Sequence, residues 1–337
     1  MKKTILTVFA AAALAACSTP DIPVSDQNAI SFGRVGTRAI SSASEISEFK
    51  VWSCVAATAD GAAVPLLEEE RVYRTDDGWD YENTRYWVDN SHFYFLGLCA
   101  VNGDGSLNED VKFVQGTLPE GEANYVTYTL NVQTPPTADL DVLAAYNYTP
   151  TTDNFYSRTV NMNFSHLMTK VNLKVKQDYD KDDVNDYSVK KVTISGVKDQ
   201  ITYKFIPFAA IENGYIVERE TGNTTIALVK EFTDPVLLRE LGSGALQIWG
   251  DDGLLLIPQN IAANTVRIRI DYIFHFANST EEPKEAYVEG ILPSINWLAG
   301  NTVTYLMSIS EKHDITFSTP TVDRWGSPQP SGTIIIK

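Results

Sequence analysis

Histidine and cysteine are scarce, with four and three in 337 residues. That leaves little material for a zinc or redox centre. Basic residues are short as well: 27 stand against 43 acids, for a net charge of −16. A chain this acidic repels phosphate, and no basic stripe with interleaved aromatics is present, so nucleic acid is excluded as a partner. There is no G-x-S-x-G elbow, no H-E-x-x-H and no phosphate-cradling glycine loop, so nothing marks an enzyme, and no cofactor is implied. No repeat of fixed period appears. What the chain has is 44% hydrophobic and 11% aromatic residues, with 16 tyrosines and 14 phenylalanines. That is enough to bury a core, and it favours strands. The length suits two domains.

The N-terminus sets the compartment. Lys2 and Lys3 precede an apolar run from Ile5 to Ala16, too short to span a bilayer. It ends Leu14-Ala15-Ala16-Cys17, the pattern of a bacterial lipobox. We therefore expect a signal peptide over 1–16, acylation of Cys17 and a hold on the outer membrane through lipid. A plain secretory signal with an incidental cysteine is the weaker reading. Ser18–Pro23 reads as a polar tether. Cys54 and Cys99 stay open between a disulfide and two buried thiols.

Short strand-like runs dominate from Phe49 onward. Val171, Leu173 and Val175 share one face against Asn172, Lys174 and Lys176. Val266, Ile268, Ile270 and Tyr272 do so against Arg267, Arg269 and Asp271. Period two is expected of half-buried antiparallel strands. Asp77-Gly78, Asn213-Gly214 and Asp252-Gly253 supply turns. The best helical stretch is Asp234–Leu241, with a capping aspartate, Pro235 in first position and Gly242 to close it. The pattern predicts an all-β chain of sandwiches. A polar break at Thr149–Asn154 places the division at 157/158.

Several motifs have plain alternatives. Asn102–Phe113 is faintly like a calcium loop but carries Leu107 and Phe113 where glycine and glutamate are required, so an acidic hairpin loop is expected. Asp180, Asp182, Asp183 and Asp186 read as a charged hairpin tip. His92, His166, His275 and His313 lack partners at ligand spacing and read as structural. Trp79, Tyr81, Tyr86 and Trp87 are either sugar-stacking platforms or a core cluster.

Between tether and first core strand stands Ala29-Ile30-Ser31-Phe32-Gly33-Arg34-Val35-Gly36-Thr37-Arg38-Ala39. Ile30 and Phe32 share one face, and Arg38 follows in a small-residue context open to proteolysis. With Asn163–Val171, Leu255–Gln259, Trp297–Tyr305 and Ile315-Thr316-Phe317 leading to Val322 and Trp325, this order of segments resembles the fimbrillin family of Bacteroidetes, the type V pilins and Mfa-like subunits, over nearly the whole chain. The resemblance implies two consecutive transthyretin-like β-sandwich domains, here 39–157 and 158–337. It implies a lipidated tether and cleavable first strand over 17–38, and an outer-membrane precursor that matures into a surface fimbrium. It implies a cut by an arginine-specific protease between Arg38 and Ala39, with Arg34 a competing site. The strand carrying Ile30 and Phe32 would be lost, and a C-terminal strand of a neighbouring subunit would take its place. The donor candidates in the tail, 313–337, are Ile315, Phe317, Ile334 and Ile336. An ordinary last strand closing its own sheet is the comparable alternative. Partners implied are other fimbrial subunits, in a homo- or heteropolymer, the protease, and a host or bacterial surface receptor. The rival reading is a surface lipoprotein that binds glycans or host proteins and never polymerises.

Overall fold

The structure, a computed structural model, describes residues 28–37, 46–119, 125–153, 158–177, 186–211, 214–241, 244–276, 280–309 and 314–325. The fold is all-β, as the period-two patterning predicts. Among the described residues, no helix is long and apolar enough to cross a membrane.

The N-terminal half is built on a seven-stranded sheet. From one edge to the other it runs β1 (Ser31–Thr37), β9 (Thr159–His166), β8 (Asp141–Pro150), β5 (His92–Val101), β2 (Glu48–Ala56), β3 (Val64–Thr75) and β4 (Gly78–Tyr81). One face packs on a four-stranded sheet of β13 (Tyr215–Thr221), β12 (Gln200–Pro207), β7 (Val126–Gln133) and β6 (Phe113–Thr117). Trp52, Cys54, Tyr94 and Leu96 meet Tyr128, Leu130, Tyr203 and Phe205 between them. The other face curls over a second core of Phe32, Phe49, Val51, Phe93, Phe95, Met162 and Phe164. β5 therefore buries both faces and is apolar at nearly every position. Gly97 is its exception in size. A Cβ there would lie 2.7 Å from Met162 Cε and 2.9 Å from Phe164 Cζ, so its missing side chain is the space those two occupy.

The C-terminal half is a second sandwich. One layer has β10 (Thr169–Gln177) and β21 (Asn301–Ile309) at its centre. On β10 lie β15 (Leu246–Gln247) and β16 (Leu254–Leu256), and on β21 lie β22 (Ile315–Phe317) and β23 (Thr321–Arg324). The facing layer is β14 (Thr225–Leu237), β11 (Asp186–Lys198), β18 (Arg267–His275) and β19 (Lys284–Ile291). β17 (Gln259–Ile261) and β20 (Ile295–Trp297) form a small ribbon. The predicted alternation holds: Val171, Leu173, Val175, Val266, Ile268, Ile270 and Tyr272 all lie in the core.

The sheets cross the division expected at 157/158. β12 and β13 come after it, yet β12 pairs with β7, Ile201 opposite Val132. A β6–β7 hairpin alone cannot cover the apolar face of the larger sheet, and the later strands complete that layer. The helix expected over Asp234–Leu241 is absent. β14 runs on to Leu237, with Val236 opposite Val189, and only a 3-10 turn follows over Leu238–Leu241. Pro235 is tolerated because β14 is an edge strand among the described residues and Pro235 falls in the register shift between Glu231 and Val236. Gly242 lies outside the described residues.

The N-terminal strand as candidate functional site

β1 is the edge strand of the seven-stranded sheet and pairs in parallel with β9, Ser31 opposite Thr159 and Phe32 opposite Val160. A register shift follows between Phe32 and Val35. Gly33 sits at its start. A Cβ there would lie 2.6 Å from Thr159 Oγ1 and 2.8 Å from Thr159 Cβ, so glycine is what lets the chain pass so close.

The anchors are Ile30 and Phe32, 1% and 4% exposed. The Phe32 ring meets Phe49 at 5.9 Å, Tyr81 at 5.5 Å and Phe95 at 6.3 Å, all edge to face. That arrangement sets ring edges against ring faces, the favourable sense of the aromatic quadrupole. The flank of β1 away from β9 is held by the segment after β4. The Ile30 amide donates to the Arg85 carbonyl at 2.8 Å, and the Trp87 amide donates to Asn28 at 3.0 Å. The Tyr81 hydroxyl donates to the Ile30 carbonyl at 2.8 Å. The two ends of the sheet thus meet across this strand. Removing it uncovers an apolar slot rimmed by Phe49, Phe95 and Val160, with unpaired backbone on both sides.

Tyr81 and Trp87 are buried, and Trp87 Nε1 donates to the Arg158 carbonyl at 3.1 Å. Trp79 packs on Phe49 at 5.3 Å. Of the four aromatics weighed as sugar platforms, only Tyr86 is exposed. The others line the slot of β1, a role visible in sequence only as a local density of aromatics.

Ile315 and Phe317 lie in β22 and pair with Ile309 and Met307 of the same chain. The backbone of Arg34 is in β1. Cys17, Arg38, Ala39, Ile334 and Ile336 lie outside the described residues. Cys54 and Cys99 are both free and buried, on opposite faces of the seven-stranded sheet. They cannot bridge, so the buried-thiol alternative holds. Burial pushes both thiols up to about 12.

The other motifs are structural. His166 is buried, with Nδ1 3.0 Å from Asp141 Oδ1 and its ring stacked on Trp325. His92 lies 2.7 Å from the Tyr148 hydroxyl and His275 3.1 Å from Ser188 Oγ, while His313 lies outside the described residues. The loop after β5 closes on itself: Ser106 donates from backbone and hydroxyl to Asp104, which lowers that carboxyl's pKa. Asp186 opens β11, and the other three acids of its run lie outside the described residues. Among the described residues no group of three or more histidines, cysteines and acids could hold a metal ion.

The family model for fimbrillin-like proteins matches residues 37–325. The chain belongs to that family. A fimbrial protein from Bacteroides vulgatus shares its fold, at 16% identity and a TM-score of 0.58, over 88% of this chain and 99% of that one. A protein provisionally described as a cell adhesion protein, from Bacteroides uniformis, aligns over 90% of this chain and 99% of that one, at 16% identity and a TM-score of 0.44. No curated protein matches the chain. The buried edge strand β1 of this fimbrillin-like chain is thus the feature that needs a functional account.

Proposed function

We propose that this protein is a structural or accessory subunit of a surface fimbrium that supports adhesion and assembles by strand exchange. Family membership supports the fimbrial or adhesive role. The observation that carries the mechanism is the buried, edge-positioned β1. Its two anchors are deeply packed, yet among the described residues it has one full ladder partner, and it is followed directly by Arg38.

The precursor is a lipoprotein acylated on Cys17 and held at the outer membrane. An arginine-specific protease cuts between Arg38 and Ala39, with Arg34 the competing site. The segment carrying Ile30 and Phe32 then leaves. An open slot with unpaired edges is costly in water, and an extended segment from the C-terminal region of a neighbouring copy or a related subunit refills it. Main-chain pairing with β9 supplies affinity, and alternate apolar side chains supply register. The rival reading, a non-polymerising glycan binder, has lost most of its aromatic platform to the slot.

The test is limited digestion of the mature chain, with Cys17→Ser to remove the lipid site, by an arginine-specific protease. The expected product begins at Ala39 by mass spectrometry. On an unboiled denaturing gel it forms a ladder that collapses on heating, and truncation of Thr333–Lys337 abolishes the ladder. A product that stays monomeric would sink the assembly reading.

A further inference from the structure

We propose that the cleft between the two sandwiches is a saccharide-binding site, with Trp249, Asp139, Lys170 and Asp252 as its contact residues. This deepens the adhesive reading above and rests on it, but it does not depend on strand exchange. The site is separate from the aromatics that line the slot of β1.

The cleft has two chambers. The larger, about 880 Å³, opens between the end of β5, the start of β10 and the turn before β16, with Trp249, Trp325 and His166 in its wall. The smaller, about 750 Å³, runs along β7 and β12, where Asn131, Gln133, Gln200 and Thr202 line it. Asp139 and the loop Asn102-Gly103-Asp104 border both, so the chambers adjoin. Each has the volume of a ligand pocket.

The walls are set before any ligand arrives. The Trp325 ring is stacked on His166 at 3.7 Å, and His166 Nδ1 lies 3.0 Å from Asp141 Oδ1. Asn108 Nδ2 donates to Asn102 Oδ1 at 3.0 Å, and Asn102 Nδ2 donates to Ser106 Oγ at 3.1 Å, which fixes the loop. Between Thr137 and Asp139 stands Ala138, with a φ of 51°, a left-handed conformation that costs a non-glycine residue free energy. Ala138 holds it because its side chain is buried in the C-terminal core and its carbonyl accepts the Leu255 amide at 2.8 Å. That strained turn sets Thr137 and Asp139 on the cleft, where the Thr137 hydroxyl donates to Asp139 Oδ1. A Cβ at Gly103 would lie 2.9 Å from Asp139 Oδ2, so glycine there keeps the second carboxylate oxygen open.

The groups left over suit a polyol. A sugar ring carries hydroxyls that donate and accept, and a C–H face that packs on an aromatic ring. Trp249 is half-buried against the C-terminal core and lines the cleft with the rest of its surface. Among the described residues, no partner holds its indole N–H, the Lys170 ammonium or the Asp252 carboxylate. The acids do not add up to a trap for cations. Glu48 pairs with Arg71, Asp104 accepts from Ser106, Asp141 lies against His166, and Lys170 adds a positive charge. Donors and acceptors beside an aromatic face fit a saccharide better than a basic peptide.

The test uses the mature, uncut chain with Cys17→Ser on a printed array of neutral and sialylated oligosaccharides, with any hit titrated by calorimetry. Asp252→Ala removes one contact and Gly103→Leu fills the cleft beside Asp139. Both positions are exposed, and unchanged urea midpoints confirm that both variants fold. The expected result is a saccharide hit that Asp252→Ala weakens about tenfold, the loss of one charged hydrogen bond, and that Gly103→Leu abolishes. A hit that both variants retain, an empty array, or binding of an oligolysine peptide with no saccharide hit overturns the assignment. Beads coated with the protein are then placed on mucin, with and without periodate, which cleaves vicinal diols. Adhesion should be lost after periodate. An empty array with adhesion that survives periodate removes this site while the adhesive reading stands. An empty array with no adhesion removes the adhesive reading as well.

Discussion

Phe32 is held by three rings and one strand, and its loss would leave a hole that those rings cannot fill without moving. Phe32→Ala should cost the uncut protein about 3 kcal/mol, at the lower end for a buried phenylalanine because β1 is an edge strand. Urea denaturation of the uncut chain checks this. Cys54, Cys99 and Tyr305 make a second residue-scale case, all pushed up to about 12 by burial. Their ordinary values are 9.0 and 10.0, so in the unfolded chain they ionise at lower pH than in the fold. The folded state then binds more protons above that range. Stability should hold up to about pH 9 and fall as pH rises toward 12. Urea midpoints at about pH 8 and about pH 11 would show it, and equal midpoints would contradict it.

At the scale of elements, β1 is specified by its glycine as much as by its anchors. Gly33→Val should push β1 off Thr159 and cost about 1–3 kcal/mol, read as a lower urea midpoint of the uncut protein. Strands such as β10 and β18 are legible in the amino-acid order because one face is wet and the other dry. The Asp234–Leu241 stretch is not. Its capping aspartate and leading proline are the local signals of a helix, but pairing with β11 outweighs them, and the proline falls in a register shift of that ladder, where it is tolerated. β12 escapes the division drawn at 157/158 for a related reason: its partner, β7, lies far back in the chain, and local composition carries no record of that.

For the whole molecule, the proposed assembly turns on what would fill the β1 slot after cleavage. A synthetic peptide of residues 326–337, present during cleavage, should occupy the vacated slot and shorten the ladder. The same peptide with serine at Ile334 and Ile336 should leave the ladder unchanged. Inhibition by both peptides alike would speak against a side-chain-specific slot.

The amino-acid sequence by itself determined the strand class, the apolar alternation of each sandwich layer and the family, because all of these rest on local periodicity and short ordered segments. It also marked Ile30 and Phe32 as a same-face pair. The tertiary structure alone decided what that pair packs against. Phe49, Tyr81 and Phe95 come to Phe32 from three strands, and only the curl of the seven-stranded sheet brings them together. It likewise set Cys54 and Cys99 on opposite faces, since facing direction in a sheet depends on register and bulges as well as on spacing. And it placed Ile315 and Phe317 over Gly290, because a seam between two sheets exists only after both have folded.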